Sequence, residues 1–301
     1  MLDYISENKD WLFSGVGVVI ATFILSTLFK SKTPEKKTSF TEISPIPTQK
    51  SPHVKEEIKA DTEVEKVAKR FKKTLELMNE GRSYIKFTIP QLAQIMELQK
   101  ISELENVFTG QEEPTFDFIE HYSNAFGVNK QWLIEGKKSP YSNDFRSHSN
   151  PMGYLPEITQ LTPEGIYFIR ENTDAAAAFI LLELTEWKYV IFNRMWHISD
   201  EVGASGQGQL YGFYKLVIEL RDKMHLHTKC WGLTLDRKEF SALRHGDVFP
   251  GSYLGHGFRE DPWWDDLTDI NHGYPISGNY EKWYGESFTK AQRIIKWQLA
   301  E

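Results

Sequence analysis

Apolar residues recur every three or four positions over residues 63–135, and give way to short apolar runs and alternation further on. Val64, Val67, Phe71, Leu75 and Met78 form a stripe that predicts an amphipathic helix over 63–81, stopped at Gly81. Leu92, Ala93 and Met96 share one face of a second helix, with Thr88 as N-cap and Pro90 in its first turn. Ile101, Leu104, Val107 and Phe108 predict a third helix over 100–109, ended by Gly110. Pro114 opens a fourth, burying Phe116, Ile119, Tyr122, Ala125 and Phe126 and closing at Gly127. Val128, Trp132 and Leu133 fold back onto this bundle, whose expected core is Leu92, Ala93, Leu104, Trp132 and Leu133.

The pattern on either side differs. Residues 11–29 carry no charge, and Lys30, Lys32, Lys36 and Lys37 follow closely. At ~1.5 Å rise per residue, such a run nearly spans a ~30 Å hydrocarbon core. The lysines orient it as a single-pass inner-membrane anchor with the bulk of the chain in the cytoplasm. The acidic start (Asp3, Glu7, Asp10) and the absence of a small-residue cleavage site argue against a signal peptide. Pro34, Pro45, Pro47 and Pro52 mark a solvated linker.

Beyond residue 151 the pattern mixes strands and helices. Thr162-Pro163-Glu164 reads as a helix start continuing to Arg170. Residues 177–184 and 187–195 read as a hairpin, 225–235 as a strand, and 209–221 and 236–244 as helices. Residues 281–300 read mostly as helix, with Phe288, Ala291, Ile294, Ile295 and Leu299 inward. The expected fold is therefore multidomain. It has a short extracytoplasmic tail (1–10), a transmembrane helix (11–29), a disordered linker (30–62), an all-α bundle (63–141), a linker (142–151) and a C-terminal α+β domain (152–301).

Composition changes this picture in two places. The net charge of −7 excludes a chain that is basic throughout, although Lys66, Lys69, Arg70, Lys72 and Lys73 crowd one helix. Cys230 is the single cysteine, so no internal disulfide forms and a buried neutral thiol is expected.

The run LAQIMEL, then Gly110, Pro114, Val128, Trp132, Leu133 and Gly136, resembles the helix-turn-helix domain of the phage-repressor, or XRE, type found in bacterial and prophage regulators. The resemblance covers roughly residues 64–141. It implies that the helix after the turn enters the DNA major groove while the one before it crosses the backbone. The groove-side residues would be Gln99, Lys100, Ser102, Glu103 and Asn106. This chain departs from the pattern. Glu97 stands where such turns often carry Gly, Ile89 replaces a phosphate-binding Gln, and Glu103 and Glu105 sit on a helix meant for a polyanion. DNA affinity rests largely on phosphate neutralisation, so these acids oppose it.

Three constellations invite chemistry. Asp265, Asp266, Asp269 and His272 have the residue types of a hard-metal or phosphoester site, but acids in such a loop also cap helices. His197 and Ser199 lack a nameable third partner for nucleophilic catalysis. Gly203, Gly206 and Gly208 precede a helix in the wrong order for a dinucleotide fingerprint. No catalytic residue, metal or cofactor is therefore expected. The expected function is a membrane-anchored transcriptional regulator, homodimeric on DNA, with a C-terminal ligand- or partner-sensing domain. The alternative is a membrane-anchored scaffold whose helix-turn-helix binds a cytoplasmic protein.

Overall fold

The computed structural model describes residues 61–300 apart from 84, 144, 146 and 255–259. The tail at 1–10, the expected span at 11–29 and nearly all of the 30–62 linker lie outside them.

Helix α1 (Glu63–Asn79) begins with a full capping box, in which Thr62 accepts from the Glu65 N–H and the Glu65 carboxylate accepts from the Thr62 N–H. Helix α2 (Ile89–Ile95) repeats the device with Thr88 and Gln91. Helices α3 (Ile101–Thr109), α4 (Phe116–Phe126) and α5 (Lys130–Glu135) end at Gly110, Gly127 and Gly136 in the left-handed conformation. The expected helices are all present, with bounds shifted by one or two residues. Phe71 is fully buried at their centre, ringed by Phe108, Phe118 and Tyr122.

The second half is a four-stranded sheet in the order β3-β2-β1-β4. Its strands are β1 (Gly165–Glu171), β2 (Ala177–Thr185), β3 (Lys188–His197) and β4 (Cys230–Leu235). β1 pairs antiparallel with β2 and β2 with β3, while β4 runs parallel to β1. The parallel pair requires a crossover. Helix α7 (Ala204–Ile218), in sequence after the short α6 (Leu155–Leu161), supplies it.

Both faces of the sheet are covered. Tyr167, Ile169, Phe179, Leu181, Ile191 and Leu233 join one continuous core with Phe71, Leu92, Leu104, Phe126 and Leu133 of the helical bundle. Helix α8 (Arg237–His245) packs on the same side, Phe240 edge-on to Phe179. Ile166, Phe168, Ile180, Leu182 and Phe192 form the opposite face. They pack with Phe213 of α7, Trp263 and Trp264 of α9 (Trp263–Asp266), Tyr280 of α10 (Tyr280–Tyr284), and Phe288 and Ile295 of α11 (Glu286–Ala300).

These observations correct the expected fold class. Residues 59–301 form one mixed α/β unit in which the bundle is one layer over the sheet, not a helix-turn-helix domain followed by a separate α+β domain. The reason is physical: the sheet has two apolar faces, and the bundle is what dries one of them. Within the expected linker at 142–151, Pro151 is buried and the Ser142 carbonyl accepts from the Asn129 amide at 2.8 Å. The inner-membrane placement is corrected as well. Among the described residues no helix is long and apolar enough to cross a membrane.

Three local expectations also change. Residues 165–170 are strand β1, buried at every position, and Thr162 ends helix α6 rather than starting a helix. Gly206 and Gly208 lie inside α7, with Gly203 as its N-cap. The C-terminal helix is interrupted at Gly285 (φ +90°), and Leu299 faces outward.

Candidate functional site

The corner between α2 and α3 is a Schellman motif. The Glu97 N–H donates to Gln94 O at 2.9 Å and the Leu98 N–H to Ala93 O at 3.0 Å. Glu97 occupies the left-handed position (φ +54°) that glycine ordinarily takes. Its side chain is exposed, so the backbone alone carries the strain. The buried Leu92, Ala93 and Met96 and the buried Leu104, Val107 and Phe108 hold the two helices together. Ala93, 3 % exposed, is the small residue that permits the close approach.

This geometry puts Gln99, Lys100 and Ser102 fully in solvent, with Glu103 and Asn106 half-buried beside them. Lys100 is the N-cap residue of α3 but makes no side-chain cap bond. The five expected contact residues therefore share one face. Ile101, expected in the core, is also 50 % exposed. Trp132 is also displaced from expectation. It is half-buried against the core, while Leu133 beside it is fully buried. Phe116, expected inward on α4, is 70 % exposed.

The charge on this face is not that of a polyanion reader. Between residues 97 and 106 three acids, Glu97, Glu103 and Glu105, stand against one cation, Lys100. The lysine-rich helix α1 does not make up the deficit. Lys66 pairs with Glu63, Lys69 with Asp61 and Lys73 with Glu76. The Arg70 guanidinium donates to the Leu133 and Ile134 carbonyls at 2.9 and 2.8 Å, closing the C-terminal end of α5. Arg70 is thus a structural cap.

The acidic loop after α9 is structural too. The Asp269 carboxylate accepts from the Gly273 and Tyr274 N–H groups and from the Tyr280 hydroxyl, at 2.7, 3.0 and 3.0 Å. Asp266 accepts from the Tyr284 hydroxyl at 2.7 Å, and burial pushes its carboxyl above the ordinary range. Asp265 pairs with Arg221, which also donates to Thr268. His272 lies edge-on to the Tyr280 ring. Each carboxylate meets internal donors, and among the described residues no group of His, Cys, Asp and Glu could hold a metal ion. His197 is exposed and bonded to Ala175 O, whereas Ser199 is buried and accepts from the Glu201 N–H, so the two do not form a nucleophilic pair.

No family model, no curated protein and no solved structure matches this chain. The likeness to phage-repressor helix-turn-helix domains therefore rests on the sequence resemblance alone.

The exposure of Ile101 was not legible in the sequence. Ile101 stands three residues before the buried Leu104, a spacing that fits either flank of α3, and in the structure it is 50 % exposed.

Proposed function

We propose that the α2–α3 corner is a macromolecular docking face and that its partner is a protein, which makes the chain a regulatory or scaffolding protein rather than an enzyme. The observation that carries this reading is Ile101, half exposed at the start of α3, on a corner whose charged residues from 97 to 106 are three acids, Glu97, Glu103 and Glu105, and one lysine, Lys100. An exposed apolar side chain on a net acidic corner suits a protein surface with a small pocket and basic surroundings. It suits a phosphate backbone poorly, because phosphate contacts need cations.

The second reading keeps the helix-turn-helix as a DNA contact. Gln99, Lys100 and Ser102 lead the second helix of the pair, the positions from which such helices reach base edges. DNA binding would then require a homodimer, since one module has a small interface.

A photoactivatable cross-linker at Ser102 of the full chain, irradiated in cells that express it, separates the two. Protease-sensitive adducts lost on Ile101→Asp support the protein reading. Nuclease-sensitive adducts that increase with Glu103→Lys support the DNA reading and sink the first.

A further inference from the structure

Strand β3 is an edge of the sheet, and its ladder is irregular where it should be simplest. Ala178 pairs with Trp196 but Ile180 pairs with Phe192, so β3 places four steps opposite two of β2. This bulge breaks the alternation of faces, and Asn193 and Arg194 both turn to solvent. The last turn of α8 brings Arg244 alongside, its guanidinium donating to the Asn193 carbonyl at 3.2 Å. The result is a cleft of about 290 Å³ lined by Ser147, Asn193, Arg194, Met195, His197 and Arg244. Among the described residues no carboxylate lines it.

Arg244 is held for this position. Its Nη2 lies 2.8 Å from His245 Nε2, and a guanidinium can only donate, so that imidazole nitrogen accepts. The other ring nitrogen, Nδ1, lies 3.2 Å from the Ser241 hydroxyl. Burial lowers the Arg244 pKa with no acid opposing it, so the cation is partly desolvated and uncompensated. A second cleft of about 510 Å³ shares Asn193 and is lined by Lys138, Ser139, Ser142, Asn143, His245 and Asp247. Its hydroxyl, amide and carboxylate groups suit a hydroxylated body.

We propose that the bulged edge of β3 is a binding site for a small organic phosphate, the phosphoryl group seated between Arg194, Arg244 and His197 and the hydroxyl-bearing portion reaching past Asn193. The planar fork of arginine matches phosphate oxygens, and two guanidinium groups favour a dianion over a carboxylate. The proposal is independent of what docks on α3.

Calorimetric titration of the full chain tests it, with inorganic phosphate, ribose 5-phosphate and ribose as probes. Ribose 5-phosphate is expected to bind more tightly than inorganic phosphate, and ribose not at all. Arg194→Ala is expected to weaken ribose 5-phosphate by roughly tenfold or more, as loss of a charged hydrogen bond implies. Arg194 is exposed, so this variant is expected to fold; Arg194→Lys, retaining charge without the fork, is expected to recover part of the loss. No saturable binding of either phosphate at about 10 mM, or equal binding by Arg194→Ala, overturns the proposal. So does displacement of ribose 5-phosphate by a DNA duplex that binds wild type but not Arg194→Ala, which reassigns the cleft to nucleic-acid backbone.

Discussion

The Tyr141 N–H donates to the Gly246 carbonyl at 2.9 Å, joining the segment that leaves the helical bundle to the turn that ends α8. Gly246 lies in the left-handed region (φ +75°), and a Cβ there would overlap the Tyr141 carbonyl carbon at 2.5 Å. The Tyr141 ring packs at a tilt of 59° against Phe249, which also meets Tyr189 of β3 and Phe87 edge-on. Bundle and sheet are therefore coupled through one aromatic knot.

Gly246→Ala is expected to destabilise the whole unit by more than the roughly 1–2 kcal/mol of left-handed strain, because the backbone of Tyr141 must also move. Urea unfolding followed by both tryptophan fluorescence and far-ultraviolet circular dichroism should show one shared transition in wild type. Two separated transitions would show that bundle and sheet fold independently.

Glu97→Gly is expected to leave stability unchanged or raise it by up to about 1 kcal/mol, the relief of left-handed strain being partly offset by glycine's chain entropy. Glu97→Val at the same site is expected to be destabilising, since a branched side chain is still less tolerant of φ +54°. Chemical denaturation of the two variants checks the ordering.

Leu133→Ala is expected to cost about 2–5 kcal/mol as a fully buried deletion. Trp132→Ala should cost less despite the larger side chain, because that indole is already half in solvent. The reverse ordering in thermal unfolding would place Trp132 in the core.

Burial raises the Asp266 carboxyl pKa above its ordinary 3.8, with the Tyr284 hydroxyl opposing the shift. The folded state therefore holds this proton more tightly than the unfolded one. The associated stability is fully present below 3.8 and is lost as pH rises through the folded value. Asp266→Asn should remove that loss. Its stability relative to wild type is expected to improve as pH rises from about 4 toward neutrality, measured by urea unfolding at several pH values.

Burial pushes the Cys230 thiol up to about 12. Ellman's reagent at pH 8 is expected to leave the native protein untouched and to titrate one thiol in denaturant. Rapid labelling of the folded chain would contradict the core position of β4.

Local chemistry was legible in the sequence where a single stretch of chain decides the outcome. The helical stripes at Phe71, Leu104 and Ile119, the cap at Thr88, and the glycine stops at 110 and 127 all act within a few residues. The hairpin of β2 and β3 was legible for the same reason. Strand β1 was not. A strand buried on both faces shows no alternation, so Gly165–Glu171 has the same apolar continuity as a buried helix. The sequence also could not say that the bundle and the sheet share a core, since Phe126 and Tyr189 are each equally content against any apolar surface. Tertiary packing alone made Ile101 a surface residue, turned Arg70 from a candidate phosphate contact into a cap, and satisfied the acids around Asp269 from within. It also brought Arg194 and Arg244 to one cleft. Neither stands in a motif; a bulge in one strand and the end of a helix fifty residues away bring them together, because side-chain direction depends on strand register, which no short stretch of sequence specifies.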